Sequence, residues 1–216
     1  MSLLIQHDSA AHALFIGGVV VAAGSEVAAT YLGQARDGQG HLGSSVVEAL
    51  FLRKRTGASA ADRWTKQVLV GTILAGLLAA SLLAARAPGV RVYANDWTTL
   101  VLGLGLLLAG VAVRSWAVWT LGRFFRREVT VEPGQHVVRS GPYRFVRHPA
   151  YAGSLLMYAG FGLAIGSWLS AALLLALATA AHIPRIRVEE AELERGLGDD
   201  YRDYERGRAR LVPGIW

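Results

Sequence analysis

Five apolar runs decide what kind of medium this chain can fold in. They cover residues 11–32, 67–85, 97–121, 150–166 and 168–183. A helix needs about 20 apolar residues to cross a bilayer, and several of these runs reach or exceed that length. Hydrophobic residues make up 53% of the 216, with a mean hydropathy of +0.35. The class is therefore an all-α integral membrane protein. It has about five transmembrane helices, including a short C-terminal helical hairpin followed by a cytosolic C-terminal helix. The first ten residues carry no basic stretch of the signal-peptide kind, so the first run reads as a retained span.

The last two runs are joined by almost nothing, which makes them an antiparallel hairpin. Both are short for a full crossing. Gly153, Gly160 and Gly162 would let helix backbones approach closely there. Pro184 is expected to end the fifth span, and residues 185–206 to form an amphipathic helix broken near Gly196-Leu197-Gly198. The apolar tail 211–216 is expected to fold back on the membrane surface.

Charge sets orientation. Lys and Arg number six in the loop 33–66, six in the loop 122–149 and seven from Arg185 onward, against two between the second and third spans. The positive-inside rule then places the N-terminus outside and the C-terminus in the cytosol. The net charge of +6 is read as topology and attraction to anionic membrane lipids rather than nucleic-acid binding, because the aromatics lie in or near spans. With no cysteine, disulfides, thiolate catalysis and cysteine-held metals are excluded. The histidines show no metal-ligand spacing. Residues 1–121 thus form an N-terminal part of three spans with a cytosolic loop 33–66. Residues 122–216 hold the chemistry. In the first loop, Gly38-Gln39-Gly40-His41-Leu42-Gly43 follows a membrane helix and no strand, so it reads as a linker. Residues 44–54 read as a short surface helix.

Two charges lie inside spans. Glu26 and Arg114 both sit roughly 10 Å from the cytosolic ends of their helices, at about 1.5 Å per residue. An ionised group there costs a few kcal/mol. Either the two pair or share a polar cavity, or each snorkels alone. With Arg185 they are the candidate acceptor-binding residues.

Two clusters bracket the hairpin. The first runs Gly141-Pro142-Tyr143-Arg144-Phe145-Val146-Arg147-His148-Pro149-Ala150-Tyr151-Ala152-Gly153. Pro149 suits the first turn of a helix. Tyr143, His148 and Tyr151 would share one small region if the loop folds onto the helix start. On residues alone, an interfacial aromatic and basic belt is an equal reading. In the second cluster Arg185 and Glu189 are i, i+4 on one helical face, which is either a surface ion pair or the second half of a site. His182 reads as a packed or capping residue.

The order Gly141-Pro142-Tyr143-Arg144, Arg147-His148-Pro149, Tyr151, Gly153, then Arg185, Glu189-Glu190, Gly198, Tyr201 and Tyr204 resembles the isoprenylcysteine carboxyl methyltransferase family. The related phospholipid methyltransferases share it more loosely. The resemblance covers roughly residues 114–213. It implies S-adenosylmethionine as cofactor, in a cytosol-facing pocket without a Rossmann sheet. By position, Gln135, His136, Val137 and Val138 would cradle the cofactor, and Tyr143, His148, Pro149, Ala150 and Tyr151 would complete its pocket. Glu189 would bind the methionyl amino group and Arg185 would orient the acceptor carboxylate. Glu128 stands at a further cofactor-contacting position. Arg185 and His148 are the candidate catalytic residues. A carboxylate acceptor needs no general base. An amine or thiol would need one, with His148 or Glu190 as candidates. The implied acceptor is a lipophilic small molecule or a prenylated partner, most simply an isoprenylcysteine-like carboxylate. The Ala-, Gly-, Leu- and Arg-rich composition points to a bacterial cytoplasmic membrane. The alternatives are an NADPH-dependent membrane reductase of the sterol-reductase type and a non-enzymatic membrane scaffold.

Overall fold

A computed structural model describes residues 8–35, 60–86, 96–125, 131, 134–214 and 216. Six helices account for most of them: α1 (Ser9–Ala35), α2 (Ala60–Arg86), α3 (Asp96–Leu121), α4 (Pro149–Ala164), α5 (Trp168–Leu197) and α6 (Asp199–Arg206). Two 3-10 turns, Gly122–Phe124 and Gly141–Arg144, interrupt the connection from α3 to α4. Among the described residues there is no strand, only one isolated parallel bridge between Val146 and Ala209. The all-helical membrane class of the sequence reading holds.

Four helices, α1, α2, α3 and α5, are long and apolar enough to cross a membrane. Their outward faces carry large apolar side chains such as Val20, Leu78, Leu102 and Trp119, which are more than half exposed. In water that would be a liability, and against lipid tails it is the expected surface. At 16 residues, α4 is the short member of the hairpin. It packs between α3 and α5, while α1 lies against α3 and α2 against α5.

Small residues decide how closely α4 approaches its neighbours. A Cβ on Gly160 would meet Leu107 N at 2.4 Å and Gly103 O at 2.6 Å, and one on Gly153 would meet Gly110 O at 2.7 Å. The α4–α5 turn is equally tight, since a Cβ on Gly162 would fall 2.3 Å from Ala171 Cα. Ser167 then caps α5 by accepting the Ser170 amide at 3.1 Å, and Ser170 Oγ donates to the Ala80 carbonyl of α2 at 2.9 Å.

Two buried clusters mark the two ends of the bundle. Phe15, Leu100, Ala164, Ile165 and Leu174 fill one end. Tyr143, Tyr201, Tyr204, Ala117 and Ala150 fill the other. The second end collects the C-terminus of α1, the start of α2, the C-terminus of α3, the start of α4 and the latter half of α5.

The structure departs from the sequence reading in three places. Pro184 does not end the fifth span, because α5 runs through it to Leu197. The lost N–H is one rung of a 30-residue helix, and packing of α5 against α2 and α4 outweighs it. The expected break does occur at Gly198, whose φ of +59° suits glycine. α2 begins at Ala60 rather than residue 67, so Arg63 and Lys66 belong to the helix. The chain leading into the tail has a partner that the sequence reading did not include. Arg147 N and His148 N donate to the carbonyls of Ala209 and Arg210, both at 2.9 Å, so the tail is strapped to the loop before α4. The linker around Gly38–Gly43, the proposed surface helix 44–54 and Glu128 lie outside the described residues.

Candidate active site

The loop before α4 is shaped first by its glycine. Gly141 has a φ of +56°, and a Cβ there would sit 2.6 Å from Thr120 Oγ1, so another residue would be excluded twice over. Pro142 and Tyr143 follow in a 3-10 turn and are buried. His148 then stands at the N-cap of α4, with Pro149 in the first turn where its missing N–H is harmless. α6 secures the turn from outside, as Tyr204 Oη donates to the Tyr143 carbonyl at 2.8 Å.

His148 is clamped by the glutamate pair of α5. Its Nε2 lies 3.2 Å from Glu190 Oε1, and its Nδ1 lies 3.9 Å from Glu189 Oε2. Tyr151, one turn into α4, donates its hydroxyl to Glu189 Oε2 at 2.7 Å. The imidazole stacks on the Tyr151 ring with centroids 5.6 Å apart, and Tyr151 meets His182 edge-on at 4.9 Å. His182 is packed, as expected, with Nδ1 2.6 Å from the Ala178 carbonyl. Glu190 is taken up structurally. It bonds Arg147 at 2.9 Å and Arg210 Nε at 2.8 Å in addition to His148. A carboxylate held by two guanidinium groups is a poor proton acceptor, so the geometry removes it as the alternative base.

The two charges inside spans are paired. Arg114 forms an ion pair with Glu26 and donates to Glu26 Oε2 at 2.9 Å, and its Nη1 reaches the Ala150 carbonyl at 3.1 Å. Neither snorkels alone. Arg185 is 4% exposed, with Nη1 3.4 Å from Thr65 Oγ1 of α2.

His148, Tyr151, His182, Glu189, Arg185, Arg114 and Glu26 face one cavity of about 310 Å³. Of the residues picked from sequence, Gln135, His136, Val137, Val138, Tyr143, His148, Ala150, Tyr151, Arg185, Glu189, Arg114 and Glu26 line it. Pro149 does not; it is fully buried in packing. One side of the cavity is apolar and aromatic, with Phe124, Phe125, Val137, Val138, Leu193 and Leu197. His136 stands edge-on to Phe124 with centroids 5.2 Å apart. The sequence reading missed the α2 wall, which begins at Lys66, and missed Tyr201 and Arg147 as lining residues. The i, i+3, i+4 spacing of Lys66, Leu69 and Val70 could have flagged α2, had the helix start been placed correctly. Burial pushes the Tyr143 hydroxyl well above its usual range, and nearby Glu189 adds to this. Burial also lifts Tyr204 to about 12. Both phenols are therefore neutral donors at any physiological pH. Among the described residues no cluster suits a metal.

Fold and cavity together define a helical integral membrane protein with a polar, part-aromatic site at one end of its bundle. Residues 101–195 match the model of the isoprenylcysteine carboxyl methyltransferase (ICMT) family. Protein-S-isoprenylcysteine O-methyltransferase A of Arabidopsis thaliana is 29% identical over 130 residues, 59% of this chain and 64% of the plant protein. The Schizosaccharomyces pombe protein-S-isoprenylcysteine O-methyltransferase is 31% identical over 114 residues, 52% of this chain and 48% of its own length. The chain thus spans about half to two thirds of these curated relatives. A solved structure of the eukaryotic intramembrane Ras methyltransferase ICMT superposes with a TM-score of 0.65 at 19% identity, over 99% of this chain and 71% of that one. That likeness is one of fold. The reductase and scaffold alternatives receive no support from these relatives.

Proposed function

We propose that this chain is a membrane-embedded S-adenosylmethionine-dependent carboxyl methyltransferase acting on a lipophilic, isoprenylcysteine-like acceptor. One observation carries the reading: Glu189, fixed by Tyr151, and buried Arg185 face a single cavity from successive turns of α5. The residues present fit the cofactor. A part-exposed carboxylate suits an ammonium group, and the wall of Val137, Val138, Phe124 and Phe125 suits an adenine ring. The named relatives act on isoprenylcysteine, which supports the same acceptor here.

When bound, the cofactor supplies a methyl group on a sulfonium; the acceptor oxygen bonds to it as the S–C bond breaks, and the electron pair stays on sulfur. A carboxylate acceptor is already a nucleophile at neutral pH, so the chain need not remove a proton. Its residues align and desolvate the reactants. Glu189 holds the methionyl amino group. Tyr151 and His148 keep Glu189 in place, and the loop from Gln135 to Val138 covers the nucleoside side. Arg185 orients the acceptor carboxylate. The Arg114–Glu26 pair lines the acceptor side of the cavity without adding net charge. Residues 122–216 are the catalytic region, with the site facing the cytosol.

Calorimetry on the detergent-solubilised protein tests this directly. S-adenosylhomocysteine should bind and NADPH should not. Glu189→Ala should weaken that binding about tenfold to hundredfold, the size of a lost charge-assisted contact. Arg185→Ala should keep the binding and lose turnover. Equal affinity in wild type and Glu189→Ala would remove the assignment of Glu189.

A further inference from the structure

The tail after α6 falls outside the matched stretch 101–195, yet it reaches the site, and Arg210 does so twice. Its carbonyl accepts the His148 N–H at 2.9 Å, and its Nε donates to Glu190 Oε2 at 2.8 Å. Glu190 lies in turn against the His148 ring, with Oε1 3.2 Å from Nε2. Arg210 therefore holds the His148 backbone directly and its imidazole through one carboxylate. The two oxygens of that carboxylate do different work. Oε1 is shared by His148 Nε2 and by Arg147 Nη1 at 2.9 Å, while Oε2 faces Arg210. A carboxylate gripped at one oxygen can turn about that contact, and one gripped at both has its plane fixed. An ionised carboxylate only accepts, so the ring nitrogen against it, Nε2, carries a proton. Nδ1 is then the atom on the side of Glu189, 3.9 Å from its Oε2. Arg210 is itself held in place. Its guanidinium lies over the Trp216 ring, 5.2 Å from the centroid, and the Trp216 carbonyl accepts the amides of Leu211 at 2.9 Å and Val212 at 3.2 Å.

We propose that Arg210 is a positioning residue for the cofactor pocket: acting through Glu190, it sets the rotation of the His148 ring and the nitrogen that carries its proton, and through His148 it steadies Glu189. The last link is the stack of His148 on Tyr151, whose hydroxyl holds Glu189 at 2.7 Å. A plain stabilising ion pair is the competing account, and the charges argue against it. Arg147 already meets the Glu190 charge and is the less exposed partner, with its side chain at 10% against 32% for Arg210. What Arg210 adds is direction more than charge, and an ion pair open to water stabilises little. The effect on the cofactor rests on the methyltransferase reading; the effect on His148 does not.

Two measurements on the detergent-solubilised full chain test this. The first is the ring-nitrogen NMR signals of histidine-labelled protein without ligand, with His148 assigned by its loss in His148→Gln. The second is calorimetric titration with S-adenosylhomocysteine. Arg210→Gln should shift the His148 ring signals and weaken S-adenosylhomocysteine binding about tenfold, the size of one charge-assisted contact. In a Glu190→Gln background, Arg210→Gln should add little further loss, because both changes break the same link. His148 signals left in place by Arg210→Gln overturn the inference, whatever happens to the melting temperature. So does a fully additive loss in the double variant, or an Arg210→Gln protein that binds S-adenosylhomocysteine as tightly as wild type. A wild type that binds no S-adenosylhomocysteine discards the proposed cofactor, and the His148 signals then decide the role of Arg210 by themselves.

Discussion

At the residue scale the site is built on charges that hold other charges in place. Glu190 illustrates it: its carboxylate is 9% exposed and bonds His148, Arg147 and Arg210. Glu190→Gln would remove one anion from buried Arg147, which keeps Glu205, and one from part-exposed Arg210, at a cost of about 1–3 kcal/mol. A drop in detergent melting temperature should follow, together with weaker S-adenosylhomocysteine binding through the loosened His148. Tyr151→Phe is milder. It removes one hydrogen bond to Glu189 and should weaken cofactor binding by about tenfold or less, with little change in melting temperature. The tyrosines give a pH dependence. Tyr204 is raised to about 12, and Tyr143 and Tyr201 are raised in the same direction, in each case chiefly by burial. An acid with a raised folded pKa contributes fully below its ordinary value near 10 and loses that contribution as pH climbs past it. The melting temperature should therefore fall above about pH 10, and Tyr204→Phe should reduce the slope while losing about 1 kcal/mol from the bond to the Tyr143 carbonyl. The clusters themselves were legible in sequence, because His148, Tyr151, Arg185 and Glu189 stand at motif spacing. The role of Arg210 was not, because its bond to Glu190 depends on how the tail folds back.

At the element scale, α4 is defined by what it lacks. Gly153 and Gly160 place its backbone directly on α3, and Gly110 returns the contact with Gly153 O at 2.6 Å. Gly160→Ala should cost about 1–3 kcal/mol, because backbone rather than a flexible side chain blocks the added methyl. Gly153→Ala should do more, since its Cβ would also fall 2.9 Å from Arg114 Cβ. It would push α3 from α4 where Arg114 grips the Ala150 carbonyl, and so disturb both stability and the acceptor side of the cavity. Gly105→Ala is the control. Nothing lies within 4 Å of that position, so it should be neutral or mildly stabilising through helix propensity. Thermal melts of the three variants in one detergent would rank them. The sequence showed the hairpin glycines because a turn of almost no residues demands close packing. It did not show that α3 is their main partner, since the long connection 122–148 conceals which helix α4 will meet. Pro184 misled for a related reason: local propensity ends helices, and tertiary packing carried α5 through it.

At the scale of the whole molecule, the site draws on helix ends that all lie on one side. The cavity takes Glu26 from late α1, Lys66 from early α2, Leu121 from the end of α3, Ala150 from the start of α4 and Glu189 from late α5. Up-and-down order through five helices brings those ends together, so α4 must traverse the bundle in the same alternating sense as the four longer helices. The sequence segments that join these ends, with the tail, hold six, six and seven of the 22 Lys and Arg residues. The positive-inside rule would then put that end on the cytosolic side. On the proposed reading the cofactor would come from water and the acceptor from the bilayer, and a site at the rim of the bilayer would reach both. A C-terminal reporter that is active only in the cytosol should light up, and one fused within the connection 87–95 should not. Single cysteines introduced at Arg144 and at residue 90 of this cysteine-free chain should then react with an impermeant maleimide from opposite faces of sealed vesicles. Labelling of both from the same face would place α3 outside the crossing set, and the charge argument would fall with it.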